Sequence, residues 1–482
     1  MKRILLFLIF LVDLLFASAQ QFPNYEELKT DINDNSLPII NIIADISNIT
    51  KENYIPAEIE ITDPKKRTDN KLTANYKCKI KYRGSSSLRY EKKSFAVKLL
   101  DDNGKSLDVA ILGIREDDSW ILNAMAIDRI RMRDRLLFDI WNDFSGTPYN
   151  TDYENRNGTK GYFVEVFLNG EYHGLYCMTD KINRKLLGLK KIKEENDGTI
   201  VTRGLLLKCN QNGSASTLTG YNDEPMDTEE WNHWELQYPD DYPSADTYSP
   251  LARLIDFCTE TSSDIFKTDY EQHFYKQNLL DYHLFYLTFC IYDNFMKNTF
   301  LSTIDLTKEE KFLITPWDLD CSLGGFWDGT HNEELINNDN IYVNPFARLW
   351  KDNVDNYKTE LCNLWQKASK TIFSEEAIAK RMNDYADSFV KSGAWEREYR
   401  KWNGNPVVLT EDPQEELAYI KQWFHSSHIN LNNYFYSVSH ISSVHTNTES
   451  NNKYNLFGQK VNDNYKGIII EKGKIIINNN PK

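Results

Sequence analysis

The sequence predicts an α+β fold of two lobes, in which a sheet-rich N-terminal lobe precedes a helical C-terminal lobe. In the first part of the chain, β-branched and aromatic residues alternate with polar ones, which is typical of strands. From residue 250 onward, apolar residues recur at helical spacing. Strands that come before helices, instead of alternating with them, favour an α+β arrangement.

The predicted strands are short and are bounded by Asn, Pro and Gly. They cover residues 37–46, 54–62, 76–83, 95–100, 120–123, 162–168, 172–179 and 204–209. Asn169-Gly170, between two of them, is the strongest short signal for a β-hairpin. A helix is predicted over residues 128–144, where apolar residues recur beside Arg and Asp. Residues 210–249 are predicted to be mostly loop.

The second half of the chain is predicted to be helical. The period of 3.6 residues is found over residues 251–261, 271–292, 356–371, 374–392 and 413–434. Residues 440–453, which are rich in Ser, Asn, Thr and His, are predicted to be a linker. Residues 454–482 are predicted to form a small β appendage. This appendage resembles the C-terminal sorting segments of type IX secretion substrates; the alternative is a terminal hairpin that packs on the body.

Residues 1–19 are predicted to be a signal peptide. A positively charged start, an apolar run and the small residues Ala17-Ser18-Ala19 fit such a segment, with cleavage after Ala19. The alternative is an uncleaved anchor, but Asp13 interrupts the run, which is shorter than the roughly 20 residues that span a bilayer. No later segment is long and apolar enough to span one. We therefore expect a secreted protein in the periplasm, at the cell surface or outside the cell.

The composition argues against several classes of protein. The formal net charge of −15 disfavours nucleic acid as a partner, because sequence-independent binding needs a basic surface. The seven cysteines occur singly and mostly among apolar residues, so we expect buried core residues and no zinc site. Walker A, HExxH and GxSxG motifs are absent from the sequence.

Three oxygen-bearing side chains are predicted to converge near residue 300. A long apolar segment runs into Asp293, Asn298 follows five positions later, and the alternation of residues 299–304 and 311–315 predicts a hairpin. A turn centred near residue 308 places Asn298 opposite Asp318. Protein kinases arrange their catalytic base and metal ligands in this way, and hard cations such as Mg²⁺ need such oxygens. The alternative is that the carboxylates cap turns or are solvated.

Several further motifs follow one another along residues 36–435. They are Arg83-Gly84-Ser85-Ser86-Ser87, Lys92-Lys93-Ser94 with Lys98, Trp120-Ile121-Leu122-Asn123, Asn169-Gly170 with Asp180-Lys181-Ile182, and Pro316-Trp317-Asp318-Leu319-Asp320. Together they resemble the signature of the CotH (spore coat protein H) kinase family, whose members are atypical and protein-kinase-like. The resemblance implies a protein-kinase-like two-lobed fold.

The resemblance also implies a reaction, the transfer of the γ-phosphate of ATP to Ser or Thr of a protein substrate with Mg²⁺ or Mn²⁺. By position, Asp293 matches the catalytic base. Asn298 and Asp318 match metal ligands, and Asp320 assists them. The GxGxxG loop is absent, and Ile-Tyr precedes Asp293 where conventional kinases have His-Arg. The CotH family shares these departures.

A phosphate-binding group is implied on the N-terminal side. Lys98, or alternatively Lys93, is implied to hold the phosphates of ATP, although an exposed strand face is the commoner place for a lysine. Arg83 comes just before a glycine and the hydroxyl residues Ser85 and Ser86, whose backbone amides are expected to cradle phosphate oxygens. The alternative is a tight turn capped by serines.

A second function class remains open from the sequence. ATP is scarce outside the cytoplasm, which favours a non-catalytic surface-binding or adhesion protein whose carboxylates hold a structural cation or cap turns. A thermal-shift measurement with ATP and Mn²⁺ separates the two classes, since a ligand that binds only the native state stabilises it.

Overall fold

The computed structural model describes residues 22–149, 156–295, 297–336 and 341–445, together with short strands between residues 453 and 478. The predicted signal peptide lies outside the described residues. Within them, no helix combines the length and the apolar character that crossing a membrane requires.

Strands of the N-terminal part close into a barrel. These strands are β1 (Ile39–Ala44), β2 (Ile55–Thr62), β3 (Thr73–Arg83), β4 (Ser94–Leu100), β5 (Ser119–Asn123), β6 (Gly161–Leu168) and β7 (Glu171–Asp180). Their order around the barrel is β1-β2-β3-β4-β5-β7-β6. The pairings are antiparallel except between β1 and β6, the parallel pair that closes the barrel, where Ile39 lies beside Glu165.

The predicted protein-kinase-like two-lobed fold is wrong. The N-terminal strands form a closed barrel, and a barrel followed by helices is not the two-lobed kinase fold. Alternation of apolar residues identifies strands, but it carries no information about which strand edges meet. The edges of β1 and β6 meet although almost the whole barrel sequence lies between them. Their pairing leaves the barrel without an open edge.

The barrel is filled by every second side chain of its strands. In β4 the inward side chains are Phe95, Val97 and Leu99. The strand register pairs Arg83 of β3 with Ser94 and Lys79 with Lys98. Because alternate residues share a face, these four side chains lie on the outer surface of the barrel.

A second sheet follows the barrel in the chain. Its strands, in the order β11-β12-β10-β13-β14, are β10 (Leu205–Cys209), β11 (Glu230–Trp231), β12 (Trp234–Tyr238), β13 (Thr299–Thr303) and β14 (Leu313–Pro316). The pairings in this sheet are antiparallel. A separate ribbon pairs β8 (Lys193–Glu194) with β9 (Ile200–Val201). Near the C-terminus, another antiparallel sheet contains β15 (Lys453–Asn455), β16 (Lys460–Val461), β17 (Gly467–Glu471) and β18 (Lys474–Asn478).

Ten α-helices lie in the described part of the chain. They are α1 (Tyr25–Thr30), α2 (Arg133–Phe144), α3 (Ala245–Glu260), α4 (Ser263–His273), α5 (Lys276–Phe289), α6 (Phe346–Asp352), α7 (Tyr357–Ala368), α8 (Glu375–Lys391), α9 (Ala394–Trp402) and α10 (Pro413–His445). The single helix predicted over residues 271–292 is two helices, because Phe274 and Tyr275 are extended. Helix α10 continues into the segment that was predicted to be a linker.

One hydrophobic core joins the barrel to the helices. Phe163, Leu175 and Cys177, on the outer surface of β6 and β7, belong to the same cluster as the residues of α2 and the C-terminal helices. Across the same boundary, Arg397 of α9 donates two hydrogen bonds of 2.8 Å to the buried carboxylate of Glu165. All seven cysteines are buried, and no disulfide bond joins any of them within the described residues.

Candidate active site

The β13–β14 hairpin brings Asn298 and Asp318 to one end of the second sheet. Thr299 pairs with Pro316, and the Trp317 amide donates a 2.9 Å hydrogen bond to the Asn298 carbonyl. The register thus differs by one residue from the predicted one. Asn298 (φ +54°) and Asp318 (φ +58°) are both left-handed, a conformation that Asn and Asp tolerate better than most residues. These two left-handed residues flank the hairpin, Asn298 just before its first strand and Asp318 just after its second.

Asp293 lies in a short 3-10 turn that follows α5. Its carboxylate forms an ion pair of 3.1 Å with Lys297, and both side chains are partly exposed. The buried neighbour Asn294 donates from its side-chain amide to the carbonyls of Asn298 (2.9 Å) and Trp317 (2.6 Å). Asn294 therefore holds the turn that carries Asp293 against the end of the hairpin.

Asp293 lies close enough to Asp318 and Asp320 for its charge to raise the pKa of both. Desolvation raises the pKa of Asp318, and the charge of Asp293 adds to this effect. The pKa of Asp320 is raised further, first by desolvation and then by the charges of Asp318 and Asp134. The side chain of Asp318 is nevertheless exposed. The carboxylate of Asp318 therefore lies in a cleft, where solvent reaches it although protein atoms surround it.

These carboxylates fit a divalent cation. Like charges gathered in a partly desolvated cleft are stabilised when a cation neutralises them, and hard oxygen donors suit Mg²⁺ or Mn²⁺. The residues that would hold it are Asp318 and Asp320 with Asn298. Among the described residues, no hydrogen bond engages the side-chain amide of Asn298.

Asp134, which is not among the predicted site residues, reaches the same place from the first turn of α2. Its Oδ1 accepts a 2.9 Å hydrogen bond from the Leu319 amide, and its Oδ2 accepts one of 3.0 Å from Asn123. Burial raises the pKa of Asp134 to about 6. Since Leu319 lies between Asp318 and Asp320, Asp134 positions their loop. The sequence does not reveal this role of Asp134, because an Asp at the start of a helix indicates only a favourable interaction with the helix dipole.

Arg83, at the end of β3, reaches the cleft from the barrel. Its guanidinium carbon lies 5.3 Å from the centroid of the Trp317 ring, next to Asp318 in the chain. Burial lowers the pKa of Arg83, and the charges of Asp318 and Asp134 oppose this effect. Arg83 is therefore the predicted phosphate-binding residue that the structure brings to the carboxylates.

Lys93 is engaged elsewhere. Its ammonium group donates to two backbone carbonyls of the turn that precedes it. That turn carries Ser85 and Ser86, both of which are exposed. Lys93 thus holds the shape of the turn.

Lys98 lies farther along β4. It is four residues beyond the partner of Arg83, which is roughly 13 Å along the strand, and its ammonium group faces Asp118 at 3.7 Å. Asp118 belongs with Asp108 and Asp117 to an acidic group whose carboxylate oxygens lie within 4.8 Å of one another. Lys98 is therefore paired with this acidic group, and it lies well away from Arg83 along the barrel surface.

Two lysines that were not predicted as site residues line the cleft. Desolvation lowers the pKa of Lys208 on β10, and the charge of Glu235 opposes this effect. Smaller contributions come from Arg83, which lowers the pKa, and from Asp318, which raises it. Surrounding protein atoms also lower the pKa of Lys181, which follows β7, although solvent still reaches its side chain. The charges of Arg83 and Lys208 act in the same direction, and those of Asp240 and Glu235 oppose them. A single charge in the otherwise apolar strand β10 is the signal that points to Lys208 in the sequence. Lys181 lies in one of the quoted motifs without an assigned role.

A cavity of about 540 Å³ lies elsewhere, between the end of α2 and helices α5 and α7. The residues around it include Ser145, Asp281 and Lys367. The carboxylates and cations described above do not line it, so it is separate from the cleft.

Most of the chain matches a known protein family. Residues 80–429 match the family model described as CotH kinase protein. The matched range covers most of the chain and contains every predicted site residue. No curated protein matches the chain significantly.

Proposed function

The chain belongs to the CotH kinase family, and from this premise we propose that it is an ATP-dependent protein kinase that acts outside the cytoplasm. One observation carries the proposal. The turn after α5, the end of the β13–β14 hairpin and the end of β3 bring Asp293, Asp318 and Arg83 to one cleft. Phosphoryl transfer needs an acceptor for the hydroxyl proton, ligands for a cation and positive charge for the phosphates.

The proposed reaction transfers the γ-phosphoryl group of ATP to a Ser or Thr hydroxyl of a protein. The hydroxyl oxygen forms a bond to the γ-phosphorus, the bond between that phosphorus and the bridging oxygen breaks, and ADP leaves. Asp293 orients the hydroxyl and takes its proton. Arg83 binds phosphate oxygens through its guanidinium group, which suits their geometry.

A bound Mg²⁺ or Mn²⁺ would neutralise part of the charge on the phosphates. Asp318, Asp320 and Asn298 supply the oxygen ligands in this proposal. Asp134 orients the loop that carries the two carboxylates through its hydrogen bond to Leu319. The metal preference is to be measured with both cations.

We place the kinase outside the cytoplasm because of the predicted signal peptide. Its protein substrate would then be a secreted or surface protein that presents a Ser or Thr. N-terminal sequencing of the exported protein should begin at Gln20. An exported chain that retains residues 1–19 would contradict this part of the proposal.

The activity is tested by transfer of radiolabel from ATP to protein in the presence of Mn²⁺. Asp318→Asn and Asp293→Asn should each lower incorporation by about a hundredfold or more. The matched control is Asp384→Asn, which removes an exposed carboxylate on α8. Equal incorporation by wild type and Asp318→Asn would contradict the proposal. An unchanged melting temperature at millimolar ATP and Mn²⁺ would favour a non-catalytic adhesion protein.

A further inference from the structure

Three cationic side chains face the cleft beside Asp318. In the second sheet, Lys208 of β10 lies opposite Phe300 of β13. The Phe300 ring lies 5.8 Å from the Trp317 ring, and the Trp317 ring lies 5.3 Å from the Arg83 guanidinium. Two aromatic rings in edge-to-face contact thus connect Lys208, on the second sheet, to Arg83, on the barrel.

Lys181 is the third cation. It directly follows the last residue of β7, Asp180, which pairs with Trp120 of β5. The charges of Arg83 and Lys208 each depress the pKa of Lys181, after the larger effect of desolvation. Arg83 acts on Lys208 in the same way. Each of the three cations therefore lies within electrostatic range of the other two.

Carboxylates act on all three cations from a distance, but none of the cations has a direct partner within the part of the chain that the structure describes. No ion pair or side-chain hydrogen bond engages the nitrogens of Arg83, Lys181 or Lys208. The carboxylate of Glu235, opposite Lys208 in the register, accepts a hydrogen bond from Asn210 instead. Lys181 is exposed and Arg83 and Lys208 are partly exposed, so a ligand in the cleft can reach all three cations. Like charges that gather at one place favour the binding of an anion, and such groups are enriched at functional sites.

We propose that Arg83, Lys181 and Lys208 together bind the triphosphate group of the nucleotide. This inference rests on the proposed function and replaces the roles that the sequence implied for Lys93 and Lys98. Lys93 donates to backbone carbonyls and Lys98 forms an ion pair with Asp118, whereas the three cations of the cleft have no direct partner among the described residues. A polyphosphate lying between them also reaches the carboxylates that would hold the cation.

The test measures equilibrium binding of Mn²⁺-ATP and, separately, of Mn²⁺ with inorganic tripolyphosphate. Lys181→Met and Lys208→Met should each raise the Kd for both probes by about tenfold, because each removes a charged hydrogen-bond donor. Lys208→Arg keeps the charge and should stay within about threefold of wild type. The control is Lys191→Met, which removes an exposed charge outside the cleft and should leave both Kd values unchanged.

The outcomes separate this inference from the function on which it rests. If wild type binds Mn²⁺-ATP and both methionine variants bind it equally well, the inference is wrong and the proposed function stands. If only Lys98→Met weakens binding, Lys98 holds the phosphates and the inference is again wrong. Binding of tripolyphosphate without ATP, still dependent on the two lysines, would support the phosphate site and overturn the use of ATP. A wild-type protein that binds neither Mn²⁺-ATP nor tripolyphosphate would overturn both this inference and the proposed function. Thermal unfolding of every variant confirms that it is folded.

Discussion

The carboxylate of Asp134 accepts a 2.9 Å hydrogen bond from the backbone amide of Leu319. Asp134 begins the helix that packs on the barrel, and Leu319 lies between the two carboxylates that follow the β13–β14 hairpin. The positions of Asp318 and Asp320 therefore depend on a contact between two parts of the fold. Loss of that contact should affect ligand binding as well as stability.

Asp134→Ala should weaken Mn²⁺ binding by about tenfold, because the loop loses an anchor and the cleft loses a negative charge. Titration of the purified protein with Mn²⁺, followed by calorimetry, measures this change. Asp143→Ala removes an exposed carboxylate near the end of the same helix and should leave the affinity unchanged. Equal Mn²⁺ affinity of wild type and Asp134→Ala would show that the contact has no part in binding.

Lys208→Met should stabilise the protein when no nucleotide is present. The variant keeps the length of the side chain while it removes a desolvated charge that Arg83 repels. The gain in the free energy of unfolding should be on the order of 1 kcal/mol. Thermal unfolding without ligand measures it, with Lys191→Met as the reference. A lower melting temperature for Lys208→Met would mean that Glu235 stabilises the lysine more than burial costs.

Glu398→Gln should destabilise the protein strongly. The fully buried carboxylate of Glu398 pairs with Lys92 and Arg131, so the substitution leaves two cations buried without an anion. We expect a loss of about 3–5 kcal/mol in the free energy of unfolding, measured with urea. Asp384→Asn breaks the exposed pair with Lys380 and should cost at most about 1 kcal/mol. Losses of similar size in the two variants would refute the difference that burial predicts.

Asp281 should make stability depend on pH. Burial raises its pKa from 3.8 to about 6, so the native state binds the proton more tightly than the unfolded chain. Its contribution to the free energy of unfolding therefore grows as the pH falls from 7 through 6, and it is complete below about 4. Asp281→Asn should remove this dependence and stabilise the protein at pH 8 by on the order of 2 kcal/mol. Urea unfolding at several pH values tests both statements, and a constant difference between the two proteins would contradict them.

The β13–β14 hairpin and its neighbourhood show what local pattern predicts well. Alternating residues on both sides of a polar turn predicted the two strands, and the hairpin brings Asn298 close to Asp318. The predicted register was off by one residue, because the pairing also depends on contacts outside the hairpin, such as the hydrogen bonds from Asn294 to the carbonyls of Asn298 and Trp317. The catalytic and metal-binding roles of these residues stay predictions.

The sequence by itself determined the order of strands before helices, the hairpin and the family likeness, because each depends on residues that are neighbours in the chain. Only the tertiary structure decided that β1 pairs with β6 to close a barrel. It also decided that Lys93 and Lys98 have partners outside the cleft. Finally, it decided that Asp134, Lys181 and Lys208 face the cleft. The physical reason is that these outcomes depend on contacts between distant segments, where packing and charge, and not local periodicity, determine which side chains meet.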